Sequence, residues 1–593
     1  MRSAVLGFRA ERSALQAPSC ARAGEPVSGC RRPETQDQLL RDSTLDEVYD
    51  GRAAIDQGRA SVSPAEEQVV QARGLERSRR QVLGEVLART ARRYPDKVAL
   101  VFGDERRTFA ELDQRVNRLA NALVARGVGR GDKVAILMQN QLAVVESYLA
   151  CAKSGAWAVP LNFRLAPPEI AYIVENSESR GVISGEPLAE AGADAARGLR
   201  FHITSAPHCP DGAEGYEAVL AAAPADEPDV LVEEGDVAFL MYTSGTTGVP
   251  KGAMLTHRNL VANTLHWIIE TQATSDDVWL SGTPLFHIGA LSGVLPFLYL
   301  GATDVILPVG SFDPEYALGR MRDLKVTMCY FVPSQWQQIC QSPAARSVDT
   351  SALRMAMWGA APATRETLEL LTATFPNVGI VAAFGQTEMS PNTAFLKDAD
   401  ALRKIGSVGK PALGVEARIV DDQGRDVAPM DVGEIVYRGP TVMHGYYRNA
   451  DATAEAFSEG WFHSGDLVRT DEDGFLYVVD RKKDMIISGG ENIYPAELES
   501  VLKSHPAVSL VAVVGVAHPR WGETPVAVVV KAPDRDVNER ELIDLCRQQL
   551  ASYKKPSAVV FREALPCNAT GKVLKRVLRD ELEGSRPQTV GSQ

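Results

Sequence analysis

The chain has 593 residues, of which 45% are hydrophobic and 23% charged; these are the proportions of a globular protein. That length exceeds what one hydrophobic core ordinarily holds, so we expect two or more domains. The 76 acidic and 63 basic side chains leave a net charge of −13, which argues against a general nucleic-acid-binding protein with a basic surface. The eight cysteines include no CxxC pair, and a chain this long needs no disulfides, so we expect reduced thiols and a cytoplasmic protein.

The first part of the chain differs from the rest. No lysine precedes Lys97, and residues 1–79 show no sustained apolar period. Three interpretations stay open for this extension: a disordered segment, a start assigned too far upstream, or an arginine-rich targeting segment. We expect no transmembrane segment, because the most apolar stretch, residues 278–303, is interrupted by two prolines and four glycines and is typical of a buried core with loops.

Helix and strand patterns alternate from residue 80 to about residue 480. A capping box at Thr108–Glu111 opens an apolar helix face, a buried strand follows over 133–138, and a helix over 142–154 leads to a strand over 156–160. Alternation of this kind predicts a large α/β domain with mostly parallel sheets.

The pattern changes after residue 484. The elements that follow predict a small α+β domain. They are a helix over 495–504, strands over 508–516 and 524–530, a capping box at Asn538–Glu541 and a short strand over 558–561. We assign this domain to residues 484–583 and the remaining residues, 584–593, to a frayed tail.

The segment Tyr242–Gly252 carries the densest set of polar donors. Glycines let backbone N–H groups approach a ligand, and hydroxyl and ammonium groups donate to phosphate oxygens, so the segment predicts a phosphate-binding loop. A Walker P-loop is disfavoured, because Pro250 stands where that motif needs glycine and Gly252 where it needs serine or threonine. The predicted phosphate contacts are Thr243, Ser244, Gly245, Thr246, Thr247, Gly248 and Lys251.

This loop strongly resembles the phosphate-binding signature of the adenylate-forming (AMP-binding) superfamily, which includes acyl-CoA synthetases, aryl-CoA ligases, luciferases and the adenylation domains of peptide synthetases. Further motifs follow in the order typical of that superfamily: Pro284–Gly289, Gly359–Pro362, Phe384–Glu388, His463–Leu467, Asp480–Met485, Ser488–Pro495 and Pro566–Lys572. The resemblance extends over roughly residues 80–580 and is strongest to the medium- and long-chain fatty acyl-CoA synthetase branch.

The resemblance implies roles at the nucleotide. Thr387 would contact the α-phosphate, and Glu388 would bind Mg²⁺ together with phosphate oxygens, since a hard cation takes carboxylate oxygen. Asp466 would accept hydrogen bonds from both ribose hydroxyls, and Arg481 would also reach the ribose. The other nucleotide-binding residues that the resemblance implies are Gly359, Ala360, Ala361, Pro362, Phe384 and Gly385. Many relatives have Asn or Gln followed by Gly where this chain has Ala382-Ala383, so backbone groups would hold more of the adenine.

The resemblance also implies residues for the acid and the thiol. His287 would lie beside the substrate carboxylate as a positioning or gating residue. Gly489 and Gly490 would line the tunnel for the pantetheine arm of CoA. Lys483 would be the hinge, within residues 481–483, between an adenylation domain over 80–480 and the small domain.

Lys572 would be the catalytic lysine of the C-terminal motif, although Cys567 replaces the Lys or Arg of most relatives. Lys572 and the pantetheine glycines lie on the same small domain. Rotation about Lys483 would therefore present them to the active site in turn.

The implied function is an ATP- and Mg²⁺-dependent ligase that converts a medium- or long-chain fatty acid to an acyl-adenylate, releases pyrophosphate and forms the CoA thioester. Trp358, next to Gly359, favours an aryl or short-branched acid instead, because a bulky residue there would shorten an acyl tunnel. Transfer to a carrier-protein thiol, reaction with oxygen as in luciferases, and an inactive nucleotide-binding protein also stay open. Peripheral membrane contact and a homodimer are compatible with the sequence as well.

Overall fold

The computed structural model describes residues 74–243, 250–488, 491–551, 553–567 and 573–584. Four sheets organise these residues. No helix among the described residues combines the length and the apolar character required to cross a membrane. The apolar stretch 278–303 instead forms a strand, a loop and a largely buried helix, as predicted.

The first sheet has nine strands, and its interior strands run parallel while the pairs at both edges are antiparallel. In spatial order the strands are Lys410–Pro411, Asn392–Leu396, Gly379–Gly385, Met355–Gly359, Met328–Tyr330, Val278–Ser281, Thr303–Ile306, Val98–Phe102 and Glu105–Thr108. Alternate residues of one strand face opposite sides of the sheet, so Met357 joins one buried cluster and Trp358 another.

The second sheet has eight strands, five of them joined by successive parallel pairings to Val237–Thr243. In spatial order they are Gly445–Tyr446, Lys251–Thr256, Val237–Thr243, Trp157–Pro160, Lys133–Leu137, Ser179–Ser184, Phe201–Thr204 and Glu214–Gly215. Residues of both large sheets, for example Ile136 and Met357, contribute to one shared hydrophobic cluster.

The third sheet departs from the predicted pattern. Its strands, Glu416–Val420, Gly433–Arg438, Phe457–Ser458, Trp461–Thr470 and Leu476–Arg481, pair only in antiparallel fashion. The expectation that parallel α/β alternation continues to residue 480 is therefore wrong from residue 416 onward. A buried apolar strand such as Gly433–Arg438 shows no alternation that would separate the two kinds of pairing.

The C-terminal sheet confirms the small α+β unit. Two long antiparallel strands, Val508–His518 and Gly522–Lys531, form its centre. The shorter strands Ile486–Ser488, Glu491–Ile493 and Ala558–Phe561 complete it. Its helices are Pro495–Lys503, Glu539–Gln549 and Lys575–Gly584.

Helices cover the faces of the two large sheets, which gives the α/β architecture that the sequence predicts. They are Leu83–Arg93, Phe109–Ala125, Leu142–Ser154, Pro167–Asn176, Ala189–Ala195, Tyr216–Ala222, His257–Thr271, Ile288–Leu300, Pro314–Asp323, Pro333–Gln341, Arg365–Thr374, Asp398–Ala401 and Ala450–Ala456. The capping box predicted at Thr108 is present, since its side chain accepts from the N–H of Glu111 and the Glu111 carboxylate accepts from the N–H of Thr108.

Most of the predicted extension, residues 1–79, lies outside the described residues. Residues 74–79 are helical, and Arg77 Nη2 donates to the carbonyl of Pro228 at 2.7 Å. The residue pattern predicts that regular structure starts at about residue 80. In the structure it starts earlier, since residues 74–79 are already helical. The described cysteines are all unpaired, as expected.

Candidate nucleotide-binding and active site

The donor-rich loop joins two antiparallel strands of the second sheet. Thr243 ends one strand, Lys251 begins the next, and the two residues pair across the hairpin. The residues between them that were predicted to bind phosphate, Ser244, Gly245, Thr246, Thr247 and Gly248, lie outside the described residues. The described flanks place both predicted contacts, Thr243 and Lys251, at the base of this loop.

Glu388 lies against the base of that loop. It belongs to a short 3₁₀ turn, Thr387–Met389, and is only 9% exposed. Its Oε1 accepts a hydrogen bond from the hydroxyl of Tyr446 at 2.9 Å, and Thr243 Oγ1 lies 3.5 Å from the same oxygen. Burial, reinforced by the negative charge of Glu388, raises the pKa of Tyr446, so its phenol stays protonated and donates.

These groups fit a magnesium ion shared with a nucleotide. They offer one carboxylate and neighbouring hydroxyl oxygens, and Mg²⁺ is typically held by one or two carboxylates together with substrate phosphates and water. The ammonium of Lys251 lies 5.4 Å from the centroid of the Tyr446 ring, so a second phosphate-compatible cation is close by. Thr243, Lys251 and Glu388, predicted from separate motifs, are therefore brought together.

Two predicted loops leave the carboxyl edge of the first sheet side by side. Gly359 and Ala383 are paired on neighbouring parallel strands, and Phe384 and Gly385 follow on the second strand. Ligands of parallel α/β sheets typically bind at this edge. The residues Ala360, Ala361 and Pro362 of the first loop are at least partly exposed.

Glycine is required at both loops by close backbone approach. A Cβ at Gly385 would lie 1.8 Å from the carbonyl oxygen of Pro391, and one at Gly359 would lie 2.4 Å from that of Ala383. No other residue fits without displacing backbone. Ala360 adopts a φ of 63°, which a Cβ-bearing residue rarely takes, so the Gly359 loop is locally strained.

Asp466 and Arg481 form an ion pair in the third sheet, in which the carboxylate is buried and the guanidinium is partly exposed. They are register partners on the antiparallel strands Trp461–Thr470 and Leu476–Arg481, and Arg481 Nε lies 2.6 Å from Asp466 Oδ1. Asp466 is 3% exposed. The positive charge of Arg481 opposes the rise in the pKa of Tyr446. Tyr446 also donates to Glu388, so the predicted ribose pair is close enough to act on the residues around Glu388.

His287 occupies the loop after the strand Val278–Ser281, at the same carboxyl edge of the first sheet. Its ring lies 4.3 Å from that of Phe286, centroid to centroid. Burial and the positive charge of Arg164 lower the pKa of His287 to about 4. The imidazole is therefore neutral near pH 7, which suits a positioning residue and not a cationic partner for a carboxylate.

Asn140 forms hydrogen bonds with the loop that carries His287. None of the sequence motifs includes Asn140. The Asn140 amide donates to the carbonyls of Thr283 and Leu307 at 3.1 and 3.0 Å, and its oxygen accepts from the N–H of Leu285 at 2.8 Å. Asn140 is 4% exposed; two of its hydrogen bonds hold this loop, and the third ties it to Leu307, just after the strand Thr303–Ile306.

The bulky neighbour of Gly359 is Tyr330 and not Trp358. A Cβ at Gly359 would lie 2.8 Å from the Tyr330 hydroxyl, whereas Trp358 is 5% exposed and packs in the cluster of Phe331 and Trp336. The side chain nearest the loop is therefore the phenol of Tyr330, and the suggestion that Trp358 shortens an acyl tunnel stays a prediction. Burial raises the pKa of Tyr330, so its hydroxyl remains protonated.

The predicted hinge lies directly after the ion-paired strand. Desolvation lowers the pKa of Lys483, and the positive charges of Arg481 and Arg579 lower it further against the opposing charge of Asp484; Arg579 belongs to the C-terminal helix Lys575–Gly584. Asp480, which is 7% exposed, accepts from its neighbour Arg481 N–H at 2.7 Å and from the N–H of Ala496 at 2.8 Å. Asp480 thus links the third sheet to the first turn of the helix Pro495–Lys503.

Three other predicted site residues, Gly489, Gly490 and Lys572, lie outside the described residues. The residues around Lys572 are described: Cys567 and Val573 form an antiparallel bridge, and the N–H of Leu574 donates to the carbonyl of Pro566 at 2.7 Å. Tyr446 and Asn140 belong to none of the sequence motifs, and Asp480 begins the motif Asp480–Met485 but was given no role. A single polar residue in a strand or loop was the available signal, and it is too common to be specific.

The chain is similar to known proteins over most of its length. A family model described as AMP-binding enzyme matches residues 87–447, and one described as AMP-binding enzyme C-terminal domain matches residues 497–572. A feruloyl-CoA synthase of Amycolatopsis sp is 43% identical over 504 residues, which cover 84% of this chain and 99% of that protein. The long-chain-fatty-acid–CoA ligase FadD13 of Mycobacterium tuberculosis is 37% identical over 487 residues, covering 82% of this chain and 95% of that protein.

A solved structure shows the same fold. The O-succinylbenzoate coenzyme A synthetase MenE of Bacillus subtilis, in complex with ATP and a magnesium ion, superposes with a TM-score of 0.75 at 33% identity. The superposition covers 84% of this chain and 99% of that one. The chain therefore belongs to the AMP-binding enzyme family.

Proposed function

We propose that this chain, an AMP-forming acid–CoA ligase that uses ATP, Mg²⁺ and CoA, takes an aryl carboxylic acid as its substrate. The observation that carries the aryl proposal is the 43% identity to a feruloyl-CoA synthase over almost its whole length, against 37% to a long-chain fatty acid ligase. The predicted preference for a fatty acid is thus replaced by the aryl alternative.

We assign binding of the nucleotide to residues that the structure describes. Lys251 and Thr243 meet the phosphates at the base of the loop, and Asp466, oriented by Arg481, accepts the ribose hydroxyls. Glu388 holds the cation, which neutralises phosphate charge when bound. Phe384 and the Gly359 loop flank the adenine at the carboxyl edge of the first sheet.

In the first half-reaction the acid carboxylate attacks the α-phosphorus in line with the leaving pyrophosphate. Both reactants are anionic, so the residues must oppose their repulsion and hold them aligned. Lys251 and Lys572 supply positive charge, and Thr387 contacts the α-phosphate where charge develops in the transition state. His287 is neutral and orients the carboxylate. Because it forms no ion pair with the carboxylate, it does not stabilise the ground state and slow the attack.

In the second half-reaction the CoA thiol attacks the acyl-adenylate carbonyl and AMP leaves. Gly489 and Gly490 border the pantetheine arm, and they belong to the same C-terminal domain as Lys572. We assign residues 80–480 to the adenylation domain, 481–483 to the hinge and 484–583 to the mobile domain. Rotation at Lys483 requires the hydrogen bond between Asp480 and Ala496 to break or to be remade, because it spans the hinge.

Tyr330 supports an oxygenated aryl acid. Its side chain is largely buried, its hydroxyl lies beside Gly359, and the phenol stays protonated. Within the described part of the chain no hydrogen-bond partner of this hydroxyl is found, so it can pair with a hydroxyl or methoxy oxygen of a bound acid. Phe286, next to His287, packs against Phe163 with ring centroids 5.2 Å apart, so aromatic surface is also present at the loop proposed to hold the carboxylate.

A fatty acid is the second candidate, favoured by the identity to FadD13. Both candidates are tested by CoA-thioester formation with ferulate, unsubstituted cinnamate and laurate at equal ATP and CoA. We expect kcat/KM for ferulate to exceed that for laurate by about tenfold or more, the discrimination that a pocket with a paired polar group provides. A higher kcat/KM for laurate would overturn the aryl proposal and favour the fatty acid.

A further inference from the structure

Tyr446 connects two residues that the proposed function places at the nucleotide. Its hydroxyl donates to Glu388 Oε1 at 2.9 Å, and the face of its ring lies 5.4 Å from Lys251 Nζ. Glu388 and Tyr446 are 58 residues apart in sequence, and none of the motifs that identify the nucleotide site includes Tyr446. The side chain is half-buried, so its contact with Glu388 is partly shielded from water.

The backbone around Tyr446 is firmly held. Gly445–Tyr446 pairs in antiparallel fashion with Lys251–Thr256, with Tyr446 opposite Ala253. The N–H of Tyr446 donates to Thr453 Oγ1 at 3.0 Å, and the following N–H, of Tyr447, donates to the carbonyl of Gly252 at 2.8 Å. The phenol therefore projects from a short strand fixed to the one that begins with Lys251, and its position is set before any ligand binds.

The contacts to Glu388 are one-sided. The hydroxyls of Tyr446 and Thr243 both approach Oε1, and within the described residues no side-chain hydrogen bond reaches Oε2. A carboxylate held by one oxygen keeps the other oriented toward a cation. Groups that hydrogen-bond to a metal-ligating carboxylate orient it, and their loss typically weakens metal affinity or activity by about 10- to 100-fold.

We propose that Tyr446 is a positioning residue for the metal-binding carboxylate: its hydroxyl holds Oε1 of Glu388 and leaves Oε2 for the magnesium ion that accompanies ATP. Its ring at the same time provides the surface against which the Lys251 ammonium lies. This inference rests on the proposed function, because it takes Glu388 as the residue that meets Mg²⁺. It adds a residue whose contribution is separable from the phosphate and ribose contacts.

The test measures binding and needs no turnover. Affinity for ATP is determined by isothermal titration calorimetry without acid or CoA, over a series of Mg²⁺ concentrations that begins with EDTA alone. Tyr446→Phe keeps the ring near Lys251 and removes only the hydroxyl. We expect the Mg²⁺ concentration for half-maximal ATP binding to rise by about tenfold, while ATP affinity in EDTA changes little.

Tyr447→Phe is the matched control. Tyr447 is the next residue, and its hydroxyl donates to Glu178 at 2.8 Å, away from Glu388. The control loses a hydrogen bond of the same kind, so its Mg²⁺ dependence is expected to match that of the unmodified protein. A Tyr446→Phe protein with the same Mg²⁺ dependence as this control would overturn the inference.

A double-mutant cycle with Glu388→Gln distinguishes positioning from general weakening. If Tyr446 acts through the carboxylate, adding Tyr446→Phe to Glu388→Gln changes the Mg²⁺ dependence by less than about twofold, because the ligand it positions is already gone. Independent effects that multiply would contradict the inference. If the unmodified protein binds ATP with no Mg²⁺ dependence at all, it is the proposed function that fails, and the role of Tyr446 fails with it.

Discussion

Asp466 and Arg481 face each other across neighbouring antiparallel strands, with the guanidinium Nε 2.6 Å from the carboxylate. Asp466 is nearly buried, while the side chain of Arg481 is about one-third exposed, at 36%. An acceptor-only carboxylate fixed in this way is suited to two neighbouring hydroxyl donors. Arg481 also lies two residues before Lys483, so the proposed ribose site and the proposed hinge are directly connected.

Asp466→Ala should abolish discrimination by the ribose hydroxyls. In the unmodified protein we expect 2′,3′-dideoxy-ATP to have a KM at least about tenfold above that of ATP, because a hydrogen bond to a charged group contributes about 1.5–3 kcal/mol. In the variant the KM for ATP should rise to a similar value, and the ratio of the two KM values should fall toward one. Steady-state kinetics of adenylation with both nucleotides measures this ratio.

Asp471→Asn serves as the control for Asp466→Ala. It also removes a carboxylate charge, one paired with Lys404 at 2.7 Å just beyond the end of the same strand. Its nucleotide ratio should stay at the unmodified value. An Asp466→Ala protein that still prefers ATP over the dideoxy nucleotide as strongly as the control does would show that Asp466 does not contact the ribose.

Tyr330→Phe should reduce activity selectively with oxygenated acids. We expect kcat/KM for ferulate to fall by about tenfold, the value of one lost neutral hydrogen bond of up to about 1.5 kcal/mol, while kcat/KM for unsubstituted cinnamate stays within about twofold. The comparison uses one variant and two acids, so any general loss of fold affects both. Equal loss with ferulate and cinnamate would mean that the hydroxyl of Tyr330 has a structural role only.

Lys572→Ala should separate the two half-reactions. Adenylation, followed as pyrophosphate release, should fall by about 100-fold or more, because a cation at the developing charge is lost. Thioester formation from supplied acyl-adenylate and CoA should stay close to the unmodified rate. Loss of both half-reactions to the same extent would contradict the division of labour between the two faces of the C-terminal domain.

Lys483→Pro tests the hinge independently of the lysine at position 572. Proline restricts backbone rotation, so the variant should retain one half-reaction and lose overall turnover. The two half-reactions are measured separately as for Lys572→Ala. Unchanged overall turnover would show that rotation at Lys483 is not needed.

His257 should make the large domain less stable in acid. It is fully buried, the N–H of Leu83 donates to its Nδ1 at 3.2 Å, and burial lowers its pKa to about 4. The neutral ring is favoured in the folded state, so this contribution is complete above about pH 6.5 and is lost as pH falls from there toward about 4. Between about pH 7.5 and 5.0 the loss amounts to about 2 kcal/mol, from roughly 1.4 kcal/mol per pKa unit.

His257→Asn removes the titrating group and keeps an oxygen to accept from Leu83. Urea unfolding at about pH 7.5 and 5.0 should therefore show a drop in apparent unfolding free energy that is about 2 kcal/mol smaller in the variant. Carboxylates titrate alike in both proteins, so the difference reports His257 alone. Identical drops would place the pKa of His257 near its ordinary value.

The site was predictable where short motifs carry chemistry. Thr243, Lys251 and Glu388 were chosen from two motifs far apart in sequence, and the fold brings them within one hydrogen-bonded cluster. Tyr446 was not predictable in this way, because its partner Glu388 is set by the pairing of Gly445–Tyr446 with a distant strand. A strand of two residues is too short for its hydrophobic pattern to specify the strand with which it pairs.

The sequence predicted which parts of the chain form helices and sheets. It did not correctly predict for every sheet whether neighbouring strands run parallel or antiparallel. Alternating helices and apolar strands predicted a large α/β domain with mostly parallel sheets but not its division into two large sheets, and the change of pattern after residue 484 predicted the small C-terminal unit. Residues 416–481 were misassigned because a doubly buried strand, such as Gly433–Arg438, looks the same in parallel and antiparallel sheets. The position of Tyr330, and not Trp358, beside Gly359 likewise depends on which face of the sheet each side chain takes.

The most direct test of the account is pyrophosphate–ATP exchange, run with ferulate and Mg²⁺ in the absence of CoA and then with CoA added. The account predicts exchange that requires the acid and not CoA, followed on addition of CoA by stoichiometric AMP and feruloyl-CoA. Exchange without any acid, or no exchange and no AMP across aryl and alkyl acids, would contradict it and leave a nucleotide-binding protein without ligase chemistry.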